Sequence, residues 1–317
     1  MAASTREEKT FRAYTSSDAE KYARHRQQYS DALYQSIYSY HLSTGGKLDT
    51  VVDLGCGPGT ATLKLAETFN TTIGLDPSEG MISAARALIN EKGPNGPVVR
   101  FDVSTAENIS SELTPDGSVD LITAATCAHW FNLDLFYPTA ARILADNGTI
   151  ALFISRSGLH PDTPNAAAII AALSEIEAKE LHQYYEPGNL LAQDLYAALP
   201  LPWTITPPEP AFPKHLFKRK TFGLEAEAAE GQVDGEEFYK GSHLHKDLDT
   251  LEMMLGTGSP MARWREANPE KAGTEQDVVK RIRRIIEKFL WEAGVEKGKE
   301  LVRPGNPGVL LMLKKRA

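Results

Sequence analysis

Between residues 49 and 154 the chain alternates short apolar runs with segments whose apolar residues recur every three or four positions. The runs are VVDLG (51–55), TIGLD (72–76), VVRFDV (98–103), VDLITAA (119–125) and GTIALFI (148–154). TATLKLAETF, SEGMISAARALINE and FNLDLFYPTAARIL lie between them with helical spacing. Strands separated by helices of this length predict βαβ units in a parallel sheet, because parallel neighbours need a long crossover. Val119 to Ala125 shows little polar alternation, as a central strand covered on both faces would.

The flanks follow other rhythms. From 18 to 42, Tyr22, Arg26 and Tyr29, then Leu33, Ile37 and Tyr40, recur at three and four, which predicts one or two helices ending at Ser43-Thr44-Gly45-Gly46. Beyond 155, residues 166–183 predict a helix stopped by Pro187 and Gly188. Residues 200–213 hold six prolines and must be extended or looped. The acidic, glycine-containing stretch 223–247 receives no assignment. Residues 247–256 and 274–293 predict amphipathic helices, with Asp249 and Thr274 as N-caps, and VLLMLKK (309–315) a closing strand. No repeat of 20–50 residues is present.

Composition then narrows the class. The 317 residues are 42% hydrophobic and 24% charged, which excludes collagen-like, low-complexity and largely disordered chains. A net charge of -8 argues against binding nucleic acid through bulk charge. Two cysteines, Cys56 and Cys127, are too few for a disulfide framework or a four-ligand zinc site, and no metal is expected. The start, MAASTREEKT, lacks the apolar core of a signal peptide, and no apolar run approaches membrane-spanning length. The expectation is a cytoplasmic protein that meets neither membrane nor nucleic acid.

The chemistry is carried by VVDLGCGPGTAT (51–62), where Gly55, Gly57 and Gly59 alternate between a strand and a helix. Without Cβ atoms the backbone N–H groups can approach a ligand and the chain can turn sharply. Asp76 ends the second strand 21 residues after Gly55, where an acidic side chain meets ribose hydroxyls; the alternative is that it only caps the next helix. Dinucleotide sites carry G-x-G-x-x-G, whereas here the spacing is G-x-G-x-G, preceded by Asp53. Asp53 suits a ligand bearing an amino group and a sulfonium better than a pyrophosphate.

This order resembles the class I S-adenosylmethionine-dependent methyltransferases. The resemblance implies an α/β, Rossmann-like doubly wound, mostly parallel seven-stranded sheet, with an N-terminal helical lid and a C-terminal helical cover over the substrate. It divides a single domain, 1–317, into lid (1–46), cofactor core (47–155) and substrate-side elaboration with closing strands (156–317). It implies that S-adenosyl-L-methionine meets Asp53, Gly55, Cys56, Gly57 and Asp76. Ser104, Thr105 and Ala106 would frame adenine, Met81 would pack on it or else serve as a core residue of its helix, and Thr126 would pass the methionine portion. Further likeness is to the fungal trans-aconitate methyltransferase family, through residues 51–69, CAHWFN (127–132), AEKYARHRQQY (19–29), YYEPGN (184–189) and ARWREANP (262–269). Ser155-Arg156-Ser157-Gly158 departs from that family, and residues 200–245 find no counterpart.

Methyl transfer to an ionised acceptor needs no base, so few residues announce it. His129, just after the fourth strand, is the catalytic candidate, as base or acceptor-orienting donor; its alternative is a structural hydrogen bond. Cys127 is better taken as a small buried residue than as a nucleophile. Tyr22 and Arg26, on one face of the lid helix, are candidates for closing over the cofactor. Arg156, Tyr185, His243 and Trp264 are candidates for the acceptor pocket. The expected activity is O-methylation of a small carboxylate, trans-aconitate-like. S- or N-methylation of a secondary metabolite stands beside it, and a non-catalytic cofactor-binding module and an NAD-dependent dehydrogenase are remoter rivals. No obligate protein partner is expected.

Overall fold

A computed structural model describes residues 10–16, Ala19, Ala23 and residues 27–89, 98–223 and 236–316. Helix α1 (Asp31–Ser43) leads into β1 (Thr50–Leu54), α2 (Thr60–Leu65), β2 (Thr71–Asp76), α3 (Glu79–Ile89) and β3 (Val98–Val103). β4 (Val119–Ala125), α4 (Leu133–Ile143) and β5 (Leu144–Ser155) continue the alternation. The five predicted runs are thus five strands. They form one sheet in the order β3-β2-β1-β4-β5, all parallel, extended by β9 (Gly308–Lys314) and β6 (Lys218–Phe222). β9 runs antiparallel to both its neighbours, so the sheet is seven-stranded and mostly parallel.

Alternate residues of each strand face opposite layers. Val52, Leu54, Ile122, Ala124, Ile150 and Leu152 join Phe136, Tyr137 and Ile143 of α4 on one face. Val51, Leu121, Ala151 and Phe153 join Leu33, Tyr34 and Ile37 of α1 on the other. With β1 between β2 and β4, the chain reverses direction across the sheet there, and β1 and β4 open a crevice at their carboxyl ends.

β6 escaped prediction because its sequence, KRKTF, buries only Phe222. It is an edge strand, and its lysines and arginine keep that edge from pairing with another chain. A helical layer follows: α5 (Ala166–Ile176), α6 (Pro187–Gln193), α7 (Leu248–Leu255), α8 (Ser259–Ala267) and α9 (Val278–Glu292). A two-stranded pair, β7 (Lys246–Asp247) with β8 (Leu301–Val302), stands beside it.

Three local expectations are corrected here. The N-cap of α7 is Asp247, whose carboxylate accepts from Thr250 N–H at 2.7 Å, not Asp249. That of α9 is Asp277, not Thr274. Its buried carboxylate accepts from the N–H groups of Val279 (2.9 Å) and Gly273 (2.8 Å) and pairs with Arg265, three partners that a threonine hydroxyl cannot serve. Pro187 and Gly188 do not merely end a helix; Pro187 opens α6, with Glu186 and Asn189 as reciprocal caps. Among the described residues no helix is long and apolar enough to cross a membrane.

Candidate active site

The turn after β1 closes only with glycine. Gly55 has φ +59°, and a Cβ there would stand 2.7 Å from Cys127 Sγ, so strand and turn pack against the end of β4 without a side chain between them. Gly57 has φ +52°, and its Cβ would meet nothing nearer than Met81 Sδ at 3.9 Å. That position therefore opens a backbone cradle which any larger residue would fill.

Asp76 lies at the tip of β2, facing this turn. One carboxylate oxygen accepts from Gly57 N–H at 2.9 Å and the other from Ser78 N–H at 2.8 Å. Two carboxylate oxygens side by side are what a vicinal diol needs for its pair of hydrogen bonds. Asp53 stands differently. It is fully enclosed, and its two oxygens accept from Thr62 (2.7 Å) and Thr123 (2.7 Å). Burial, reinforced by the charge of Asp76, pushes its carboxyl up to about 6. Asp53 thus ties β1 to α2 and β4.

Cys56 is buried beside the turn, its thiol pushed up by burial and by Asp76. At the end of β3, Ser104 N–H donates to Asp76 C=O at 3.2 Å, Thr105 is half-buried, and Ala106 enters the core against α4. Glu107 accepts from Asn132 N–H at 2.7 Å and fixes this loop to the start of α4. Met81 is buried on the first turn of α3 with Ala19 and Ala84, under Phe11 and Tyr14. Tyr22 and Arg26, the lid candidates, lie outside the described residues. Nearer the N-terminus, Tyr14 C=O would sit 2.1 Å from a Cβ on Gly80, and Thr10 meets Arg263 Nη1 at 3.2 Å. Residues 10–16 therefore cross from the helical layer to the start of α3.

The carboxyl end of β4 gathers the remaining polar groups. Thr126 takes φ +57°, and its hydroxyl meets Tyr29 OH at 3.3 Å. Cys127 donates its thiol to Leu54 C=O at 3.0 Å and is pushed up by burial and by Asp53, so it is held as a thiol. His129 lies in a 3-10 turn, Ala128–Trp130, with Nδ1 3.0 Å from Tyr196 OH. Tyr196 is buried at φ +60°, in a turn no motif announces. Tyr29 is equally unexpected here. Its helical spacing is broken by a bridge to Tyr239, on which its ring stacks, while its edge meets Phe153.

The acceptor candidates do not converge. Arg156 follows β5 at the same sheet edge, exposed, its guanidinium without a hydrogen bond or ion pair among the described residues. Tyr185 bonds Glu177 at 2.7 Å and Gln193 at 3.2 Å in the helical layer. Trp264 is core to that layer, packed with Ile169, Val278 and Ile282. His243 pairs with Glu237 on a surface turn.

Residues 51–148 match the methyltransferase domain family. That segment is a methyltransferase domain of the class I, S-adenosylmethionine-dependent kind. A Dictyostelium discoideum protein named as a methyltransferase is 38% identical over 178 residues, 56% of this chain and 62% of that one. A Saccharomyces cerevisiae protein, named a probable S-adenosylmethionine-dependent methyltransferase, is 34% identical over 141 residues, 44% of this chain and 46% of its own. The chain thus spans less than two thirds of the length of either curated relative. Likeness to trans-aconitate 2-methyltransferase of Variovorax paradoxus is weaker, 35% over 105 residues, 32% of this chain and 37% of that one. A solved structure from Anaeromyxobacter dehalogenans, described as a type II methyltransferase, shares the fold with a TM-score of 0.56 at 20% identity, over 92% of this chain and 97% of its own.

Proposed function

We propose that this methyltransferase acts on a small molecule and that its acceptor is a small carboxylate, methylated on oxygen. S-adenosylmethionine, when bound, supplies a methyl group activated by its sulfonium. The open backbone at Gly57 and the two carboxylate oxygens of Asp76 fit that cofactor, with Asp76 holding the ribose diol and the 104–106 loop and Met81 framing the base. Asp53 acts behind them by fixing β1, α2 and β4.

The carboxylate reading rests on one observation. Two groups at the end of β4 that could take a proton from a neutral thiol or amine, the Cys127 thiol and the Tyr196 phenol, are pushed up by burial and held protonated, which leaves that work to His129. A carboxylate acceptor uses a lone pair it already carries for the new O–CH3 bond, the C–S pair leaves with sulfur, and no base is called for. Arg156 is the cation we assign to a second acidic group of the acceptor, since a chain of net charge -8 repels a polyanion except where a local guanidinium meets it.

The test is turnover of S-adenosylmethionine with trans-aconitate, with a small thiol and with a small amine. Expected is a base-labile methyl ester from the carboxylate alone, with KM raised about 10-fold or more in Arg156→Ala, the order of a lost charge-assisted hydrogen bond. A thioether or N-methyl product, with no ester, sinks the carboxylate assignment and leaves the S- or N-methyl alternative.

A further inference from the structure

We propose that Arg263 is a positioning residue which ties the seat of α6, and with it the turn carrying His129, to the N-terminal stretch over α3. Filling the cofactor site then tightens the acceptor wall. This rests on the reading that sets the cofactor base against Met81 and the acceptor against His129. It deepens that reading by coupling the two halves of the site, so that the acceptor meets a finished wall only when the cofactor is bound.

The guanidinium draws oxygens from three separate parts of the chain. Nε donates to Tyr184 C=O at 2.8 Å. Nη1 donates to Thr10 Oγ1 at 3.2 Å and lies 3.3 Å from Glu186 Oε2. Nη2 donates to Asn189 Oδ1 at 2.5 Å and to Ser259 Oγ at 3.3 Å. Asn189 Oδ1 also accepts from Glu186 N–H at 3.0 Å, and Asn189 Nδ2 donates to Ser259 Oγ at 3.0 Å. The first turns of α6 and α8 thus close around one cation, which is only 15% exposed. A planar fork of five donors can meet such a set at once, and the point charge of a lysine cannot.

α6 depends on this anchor. It has 7 residues, too few to hold a helix by its own backbone bonds, and of these only Gly188 is buried. Its first turn lies on the Ala128–Trp130 turn: a Cβ on Gly188 would stand 2.6 Å from the Trp130 ring and 2.8 Å from His129 C=O. Where α6 begins therefore decides how His129 is held. At the other end of the network, Thr10 is buried and opens the stretch whose Phe11 and Tyr14 cover Met81. A base packed at Met81 adds to the contacts that keep this stretch in place, and Thr10 passes that gain to Arg263. Linkage makes the effect reciprocal, so a well-seated α6 favours the cofactor in turn.

The experiment is hydrogen exchange of the full chain, read by mass spectrometry with and without S-adenosylhomocysteine. In the wild type the ligand is expected to slow exchange at residues 55–62, and also at 188–193 by about 3-fold or more. Thr10→Val keeps the shape of the side chain and removes its hydroxyl. In that variant the response at 188–193 should vanish while the response at 55–62 remains. Arg263→Lys should lose the same response and exchange faster at 188–193 even without ligand. A wild type that shows no response at 188–193, or a Thr10→Val variant that retains it in full, overturns the proposal. Thr10→Val leaves the bonds among α6, α8 and Arg263 in place, so it decides the matter even if Arg263→Lys does not fold. The glycine turn is scored separately: no slowing at 55–62 sinks the cofactor reading, whereas slowing there without a change at 188–193 sinks the coupling alone.

Discussion

Asp53 and Asp76 end neighbouring strands, yet their surroundings give them opposite work. Asp76 faces the glycine turn and accepts from two backbone N–H groups, while both oxygens of Asp53 are enclosed with threonine hydroxyls. Asp76→Ala should weaken binding of S-adenosylhomocysteine by about 10–100-fold in titration calorimetry, the range for lost hydrogen bonds to a charged acceptor. Unaltered affinity would remove Asp76 from the cofactor site. Asp53 carries a pH signature instead. Its folded carboxyl is raised to about 6 from an ordinary 3.8, so its favourable contribution is full below 3.8 and is lost as pH rises through 6. Relative to Asp53→Asn, wild-type thermal stability should therefore increase between pH 7 and pH 5, and be flat above 7.

At the scale of elements, α1, β5 and β9 meet in a buried polar clasp at the opposite end of the sheet from the site. Lys314 of β9 donates to His41 C=O (3.3 Å) and to Thr149 Oγ1 (3.2 Å), while His41 bonds Thr149 at 2.8 Å and Lys47 C=O at 2.7 Å. Burial lowers the lysine to about 8 from 10.5. A depressed ammonium contributes stability that is complete above 10.5 and lost as pH falls through 8. Denaturant unfolding of wild type against Lys314→Met should show the wild type gaining between pH 7.5 and pH 10. A constant difference would mean that the lysine is not desolvated.

Across the whole molecule, the N-terminal stretch links the helical cover to the cofactor half of the sheet. It touches Arg263 at Thr10 and lies over Gly80 at Tyr14. Arg263 also holds Tyr184 C=O and Asn189, so one guanidinium joins the stretch to the layer that bears α6. Gly80→Ala separates these effects. Alanine improves the helix by roughly 1 kcal/mol, yet its Cβ cannot coexist with Tyr14 C=O at 2.1 Å. The variant should be cleaved faster by trypsin after Arg12 and bind S-adenosylhomocysteine several-fold more weakly, with α3 intact by circular dichroism. Wild-type proteolysis and affinity would show that this cover has no part in retaining the cofactor.

Much of this was legible in the chain itself. Short apolar runs alternating with helical patterns read as strands of a largely parallel sheet, even where, as at β3, the strand lies at the edge, and alternating glycines between strand and helix read as a sharp turn. Local periodicity and local backbone freedom suffice for both, so β1 to β5, β9, the glycine turn and Asp76 followed from sequence. β6 did not, because an edge strand buries one face and its polar residues carry no apolar rhythm. Nor did the enclosure of Asp53, the partnership of His129 with Tyr196 67 residues away, or the burial of Trp264 in the helical core. Those depend on which distant segments arrive at the same point, and only the tertiary structure decides whether a carboxylate meets water or two hydroxyls.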